Sequence, residues 1–138
     1  MSFPTARLAA AFVAPATASL AAAQPPSRPV IVGQAGDDLD ACLSDGEVAG
    51  LNPRGDNFLA VRSAPGTNAP ILGRLGPRHP VHVCDGTPDD QWLGIVYIPD
   101  PAGDADCRVG SPVARPQPYR GPCRSGWVAA RYIVVVAG

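Results

Sequence analysis

The sequence predicts a small all-β domain of short antiparallel strands, and three observations carry that expectation. The stretch Phe58–Leu75, FLAVRSAPGTNAPILGRL, reads as a strand, a tight turn and a second strand. Gly and Pro supply 15 and 17 of the 138 residues and cut the chain at short intervals, with apolar runs between them. That combination favours short strands and turns. No strong amphipathic helical pattern follows residue 23.

The amino terminus has the form of a secretory signal over residues 1–23. Arg7 gives a weakly positive start, Leu8–Ala23 is apolar and alanine-rich, and Ala21-Ala22-Ala23 has the small-x-small form of a cleavage site. The run is too short and soft for a membrane span. Residues 24–40 read as a flexible linker, because Pro25, Pro26, Pro29, Gly33 and Gly36 oppose regular structure. The domain proper is expected over residues 41–138.

Ala41–Gly50 is expected to form the first strand, interrupted by a turn near Asp45-Gly46, and Leu51–Asn57 a turn-rich loop. In the next strand Leu59 and Val61 alternate with Ala60 and Arg62, the period-2 pattern of a half-buried strand. Pro65-Gly66 then breaks it: Pro presets φ near −65° and Gly accepts positive φ. Apolar residues resume at Ile71, Leu72 and Leu75. Val81 and Val83 share one face of a further strand. Trp92–Ile98, WLGIVYI, is apolar on both faces and is expected to be the most central strand, with Gly94 marking a bulge or bend. Trp92 and Tyr97 fall on opposite faces, so at least one is expected to be partly exposed. Residues 99–124 form a Pro/Arg-rich insertion that neither helix nor inner strand accommodates. Trp127–Val136 closes the sheet, with Ile133–Val136 a β-branched run suited to burial.

The four cysteines, Cys42, Cys84, Cys107 and Cys123, are an even set in a small chain with an export signal, which reads as a disulfide framework. Three pairings are possible. The favoured one is Cys107–Cys123, stapling the insertion, with Cys42–Cys84 tying the first strand to a middle one. Zinc is the competing reading, and the absence of any C-x-x-C pair counts against it.

Formal net charge is −1, too balanced to argue for nucleic acid, and all 11 basic residues are arginine. Charge is segregated along the chain. Six aspartates lie between Asp85 and Asp106, followed by Arg108, Arg115, Arg120, Arg124 and Arg131. One reading is internal pairing of neighbouring segments. The other is an Arg-lined patch for an anionic ligand, with Tyr119 and Trp127 as flat surfaces beside it for sugar or peptide stacking. Arg54-Gly55-Asp56 reads as a solvated turn. Asp100, Asp104 and Asp106 lack the spacing of an EF-hand calcium loop. His79 and His82 accompany no nucleophile or zinc motif, so catalysis, a resident metal and a cofactor are not expected.

LAVRSAPGTNAPILGRL resembles the strand–turn–strand signature of bacterial SH3-like domains, and Gly126-Trp127-Val128 with Arg131-Tyr132-Ile133 is similar to their closing strand. The likeness covers roughly residues 42–135 and is interrupted by the 99–124 insertion. It implies a small SH3-like barrel of about five to six short antiparallel strands, exported to the periplasm or beyond. The function it implies is non-catalytic binding of cell-wall peptide, a related anionic wall ligand or an envelope protein. The ligand groove would lie between Leu51–Asn57 and the turn after Ser63. Its expected contacts are Arg62, Asp56, Tyr97, Tyr119, Trp127 and Arg124. An adaptor or secreted inhibitor acting through the groove or through the 99–124 loop is the alternative.

Overall fold

The computed structural model describes residues 1–18 and 23–138. The cleavage motif expected at Ala21–Ala23 lies partly outside them. Residues 1–18 are exposed and carry neither helix nor strand. No helix among the described residues is long and apolar enough to cross a membrane.

The chain is all-β. Its strands are β1 (Ile31–Val32), β2 (Ser44–Val48), β3 (Leu59–Arg62), β4 (Ile71–Leu75), β5 (Pro80–Gly86), β6 (Trp92–Tyr97), β7 (Gln117–Pro118), β8 (Arg124–Ala129) and β9 (Ile133–Ala137). A single 3-10 turn, Ala130–Tyr132, separates the last two. Seven strands form one antiparallel sheet in the order β4-β3-β8-β6-β5-β2-β9, and β1 pairs with β7 in a separate two-stranded ribbon. The sheet is open, with β4 and β9 as its edges, which corrects the expected closed barrel.

β6 is the middle strand of the seven, as its two-sided apolar pattern predicts. The β3–β4 hairpin also forms as expected: Gly66 sits at φ 125°, a conformation that costs a residue with a Cβ far more. The turn expected at Asp45-Gly46 is instead a register shift inside a continuous β2, so the chain keeps its partners β5 and β9 through a bulge.

Each face of the sheet has its own core. On the inner face the sheet curls round Val48, Leu59, Val61, Leu75, Val81, Ile95, Tyr97 and Val128, which come from six different strands. A fully buried side chain of this size contributes roughly 1.5–3 kcal/mol. On the outer face Val96 is covered by Val32, Ala41, Cys42, Cys107 and Val109. Both disulfides, Cys42–Cys84 and Cys107–Cys123, fasten this outer layer, and they are the pairs favoured from the sequence. No cysteine is left for zinc. Two disulfides suit an oxidising, extracytoplasmic compartment.

The outer layer overturns the reading of residues 24–40 as a linker. Val30 and Val32 are buried, the Tyr119 N–H donates to the Val30 carbonyl, and Asp85 accepts from the Ile31 N–H at 2.9 Å. Arg28 lies across Trp127, 4.7 Å from its ring centroid, and its carbonyl accepts the indole N–H at 2.8 Å. The prolines and glycines shape a strap rather than a tether. The strap also explains Gly94: a Cβ there would stand 2.7 Å from the Asp85 Cβ and 3.1 Å from a Val30 methyl. The bulge lies across from it, in β5 between Val83 and Asp85. Gly94→Ala is therefore expected to cost about 1–3 kcal/mol by overpacking. Urea denaturation measures this, and a loss under about 0.5 kcal/mol, the range of an ordinary surface change, contradicts the close approach.

The run Ile133–Val136 is a strand but not a buried one. Val134, Val135 and Val136 are 50%, 55% and 59% exposed on the sheet edge. β-branching favours a pleated backbone and does not say which side is covered.

Candidate functional site

A groove runs between the loop after β2 and the hairpin turn after β3. It has a volume of about 440 Å³ and is continuous with a neighbouring depression of about 490 Å³ through Thr67, Trp92, Ala129 and Arg131. Its position matches the one expected between Leu51–Asn57 and the turn after Ser63.

Its walls follow from local structure. Asn52 folds its loop by accepting the Arg54 N–H on its side chain at 3.0 Å and the Gly55 N–H on its backbone at 3.1 Å. This is the turn expected at Arg54-Gly55-Asp56. It leaves Asp56 exposed on one rim. On the other side Arg62 donates from Nη1 to the Ala69 carbonyl at 2.8 Å, closing the base of the hairpin while still lining the groove. The 3-10 turn between β8 and β9 brings in Arg131 and Tyr132, with the guanidinium 4.9 Å from the ring centroid. Phe58 and Trp92 complete the aromatic wall, and the Arg74 guanidinium lies 5.1 Å from the Phe58 ring.

Of the six residues expected to bind ligand, only Arg62 and Asp56 meet in this groove. Trp127 is fully buried under the strap and offers no stacking surface. Tyr97 is buried in the inner core with its ring edge-on to His79. Arg124 is exposed at the start of β8, across the register from Tyr97. Tyr119 is half-buried in the outer layer, where its hydroxyl donates to the Cys107 carbonyl and accepts the Cys123 N–H, bracing the insertion's disulfide. It lines a separate cavity of about 450 Å³ beside Arg108 and Arg120. Phe58, Trp92, Arg131 and Tyr132 were missed. The Trp92 parity with Tyr97 did signal one exposed aromatic in β6, and Trp92 is the half-buried one.

The segregated charges do not neutralise each other. Among the described residues the one close contact between a basic and an acidic side chain is His82 Nδ1 with Asp45 Oδ1 at 2.6 Å, and no arginine lies within ion-pair reach of a carboxylate. The aspartates serve the backbone instead: Asp100 caps the Ala102 N–H, Asp106 the Arg108 N–H and Asp89 the Gln91 N–H. His79 is buried and spends Nε2 on the Ile98 carbonyl at 2.7 Å.

Burial pushes the Tyr97 phenol above its ordinary value, with Arg124 acting the other way. The unfolded phenol ionises near pH 10 and the folded one higher. The stabilisation is thus complete below about pH 10 and is lost as pH rises through the folded value. Tyr97→Phe is expected to flatten the fall in urea midpoint as pH rises above about pH 10. A fall of unchanged steepness assigns it elsewhere. Tyr119 is likewise raised by burial, against its bond from Cys123, and acts with the same sign.

In comparisons with protein-family models, curated proteins and solved structures, nothing matches this chain.

Proposed function

We propose that the protein is a non-catalytic binding module of the cell envelope, related to bacterial SH3-like domains, whose groove takes an extended peptide or glycan-peptide of the wall. The observation that carries this reading is the groove itself: three aromatic rings, Phe58, Trp92 and Tyr132, stand with Arg62 and Arg131 along one continuous depression. Aromatic faces stack on sugar rings and peptide planes. Arginine forks match the carboxylates that wall peptides carry. Asp56 on the opposite rim suits an amine. The disulfides fit an exported protein.

Co-sedimentation of the oxidised protein with purified peptidoglycan tests it. Saturable pelleting is expected, weakened at least tenfold in Trp92→Ala/Arg131→Ala, a loss of about 1.4 kcal/mol or more. That pair is preferable to Arg62, whose loss would also open the hairpin. Arg108→Ala/Arg120→Ala is the control and is expected to pellet as the parent does. Loss of binding in the control with retention in the groove variant moves the function to the stapled insertion, as an adaptor or inhibitor loop. No pelleting by the parent overturns the wall reading.

A further inference from the structure

A second surface lies at the β9 edge of the sheet. β9 has β2 on one side and, among the described residues, no strand on the other. Three successive valines, Val134–Val136, are each at least half exposed there, so neither face of the strand is covered. Edge strands are ordinarily blunted by charge, proline or a covering loop. β9, with the sequence IVVVA, has no charge and no proline. Beside it opens a cavity of about 400 Å³ whose apolar floor includes Val81, Ile98 and Val136. Its lining holds the carboxylates of Asp45, Glu47 and Asp100 and no arginine; His82 lines it too and is bonded to Asp45, which leaves Glu47 and Asp100 open to a partner. Glu47 stands opposite Val134 in the strand register, which brings the acidic lining up to the edge strand itself.

We propose that the free edge of β9 and this acidic cavity together receive an extended segment of a partner protein as an eighth strand, a segment that alternates β-branched residues with lysine or arginine. Strand addition draws its affinity from main-chain hydrogen bonds and its specificity from pockets for alternate side chains. The five residues of β9 span about 17 Å, so a segment of five or six residues fills the edge. The apolar positions fall on the face of Val135, and the basic positions on the face of Val134 and Val136, where their stems cover the valines and a head group reaches toward Glu47. A second copy of this chain is the poorer occupant. Two-fold pairing places the same patch on both sides and would bring Asp45, Glu47 and Asp100 of each copy toward their counterparts.

The test uses the oxidised full chain and a fluorescein-labelled seven-residue peptide of alternating valine and lysine. Three comparisons accompany it: the same peptide with glutamate for lysine, the same peptide N-methylated at alternate residues, and two protein variants, Val136→Arg and Glu47→Gln/Asp100→Asn. Fluorescence anisotropy is expected to show saturable binding. The glutamate and N-methyl peptides, and both variants, should bind at least tenfold more weakly. Amide hydrogen exchange at residues 134–137 should slow when the lysine peptide is added. Val136 and Asp100 are exposed and Glu47 is half-buried, and an unchanged melting temperature checks that the variants fold. Equal affinity for the N-methyl peptide, protection that maps away from β9, or no binding each overturns the proposal. Protection of β9 without peptide, with a dimer in sedimentation, replaces the basic strand by a second copy.

Discussion

Trp127→Ala is expected to lower the unfolding free energy by about 3–5 kcal/mol, the range for emptying a large aromatic site in a core. Trp127 has no exposed surface, and the strap lies over it. Removing the indole leaves a void beneath Arg28 and strips the Arg28 carbonyl of its donor. The strap then keeps only its more distal holds, such as the Arg28 N–H on the Ser63 carbonyl and the Val30 carbonyl on the Tyr119 N–H. Two measurements separate the contributions. Urea denaturation reads the whole loss, and amide hydrogen exchange at Arg28 and Ile31, whose N–H groups are held by the Ser63 carbonyl and Asp85, reads release of the strap. Trp127→Phe keeps most of the volume and removes only the donor. It should therefore speed exchange in the strap while costing well under the alanine change. A loss below about 1 kcal/mol for Trp127→Ala would place this residue outside any core.

Removing the Cys42–Cys84 bridge by double alanine substitution is expected to cost about 4 kcal/mol, against about 3 kcal/mol for Cys107–Cys123, from loop lengths of 42 and 16 residues in the chain-entropy account. Either is a large part of the 5–15 kcal/mol that ordinarily separates folded from unfolded. The first bridge joins the end of the strap to β5, and the second holds the insertion together under Tyr119. Their loss should therefore differ in kind. Without Cys42–Cys84, exchange protection should fall across Val30–Cys42. Without Cys107–Cys123, it should fall at Val109 and Tyr119 first. Equal costs, or a larger cost for the shorter loop, would sink the loop-length explanation.

The hairpin β3–β4, the central place of β6 and the pairing of the cysteines were legible in the sequence because each rests on local chemistry. Alternation at Leu59–Arg62, a Pro-Gly turn and a two-sided apolar run need no knowledge of distant residues. The strap was not legible. Pro25, Pro26, Pro29 and Gly33 look like tether chemistry, and the residues that hold the strap, Trp127 for Arg28 and Tyr119 for Val30, lie 99 and 89 positions away. The same distance hid the fate of Trp127: it was expected to offer a stacking surface, and the strap covers it. The error at Val134–Val136 is the converse, since β-branched residues look buried and their cover depends on a neighbouring strand that is not there. Asp56 from its loop and Arg62 from β3 do line one depression. Arg131 and Tyr132 enter through a 3-10 turn, where strand alternation gives no guidance to direction.

The pairing scheme also sets an order in time. β2 takes β9 as its second partner, β3 takes β8, and Arg28 needs Trp127, so elements in the first half of the molecule are completed by residues 124–138. Such non-local closure places folding among the slower small domains, in milliseconds to seconds. The hairpins β3–β4 and β5–β6 are the parts whose partners are adjacent in sequence, and neither needs β8 or β9 to pair. The strap is different: its hold on Arg28 has to wait for Trp127.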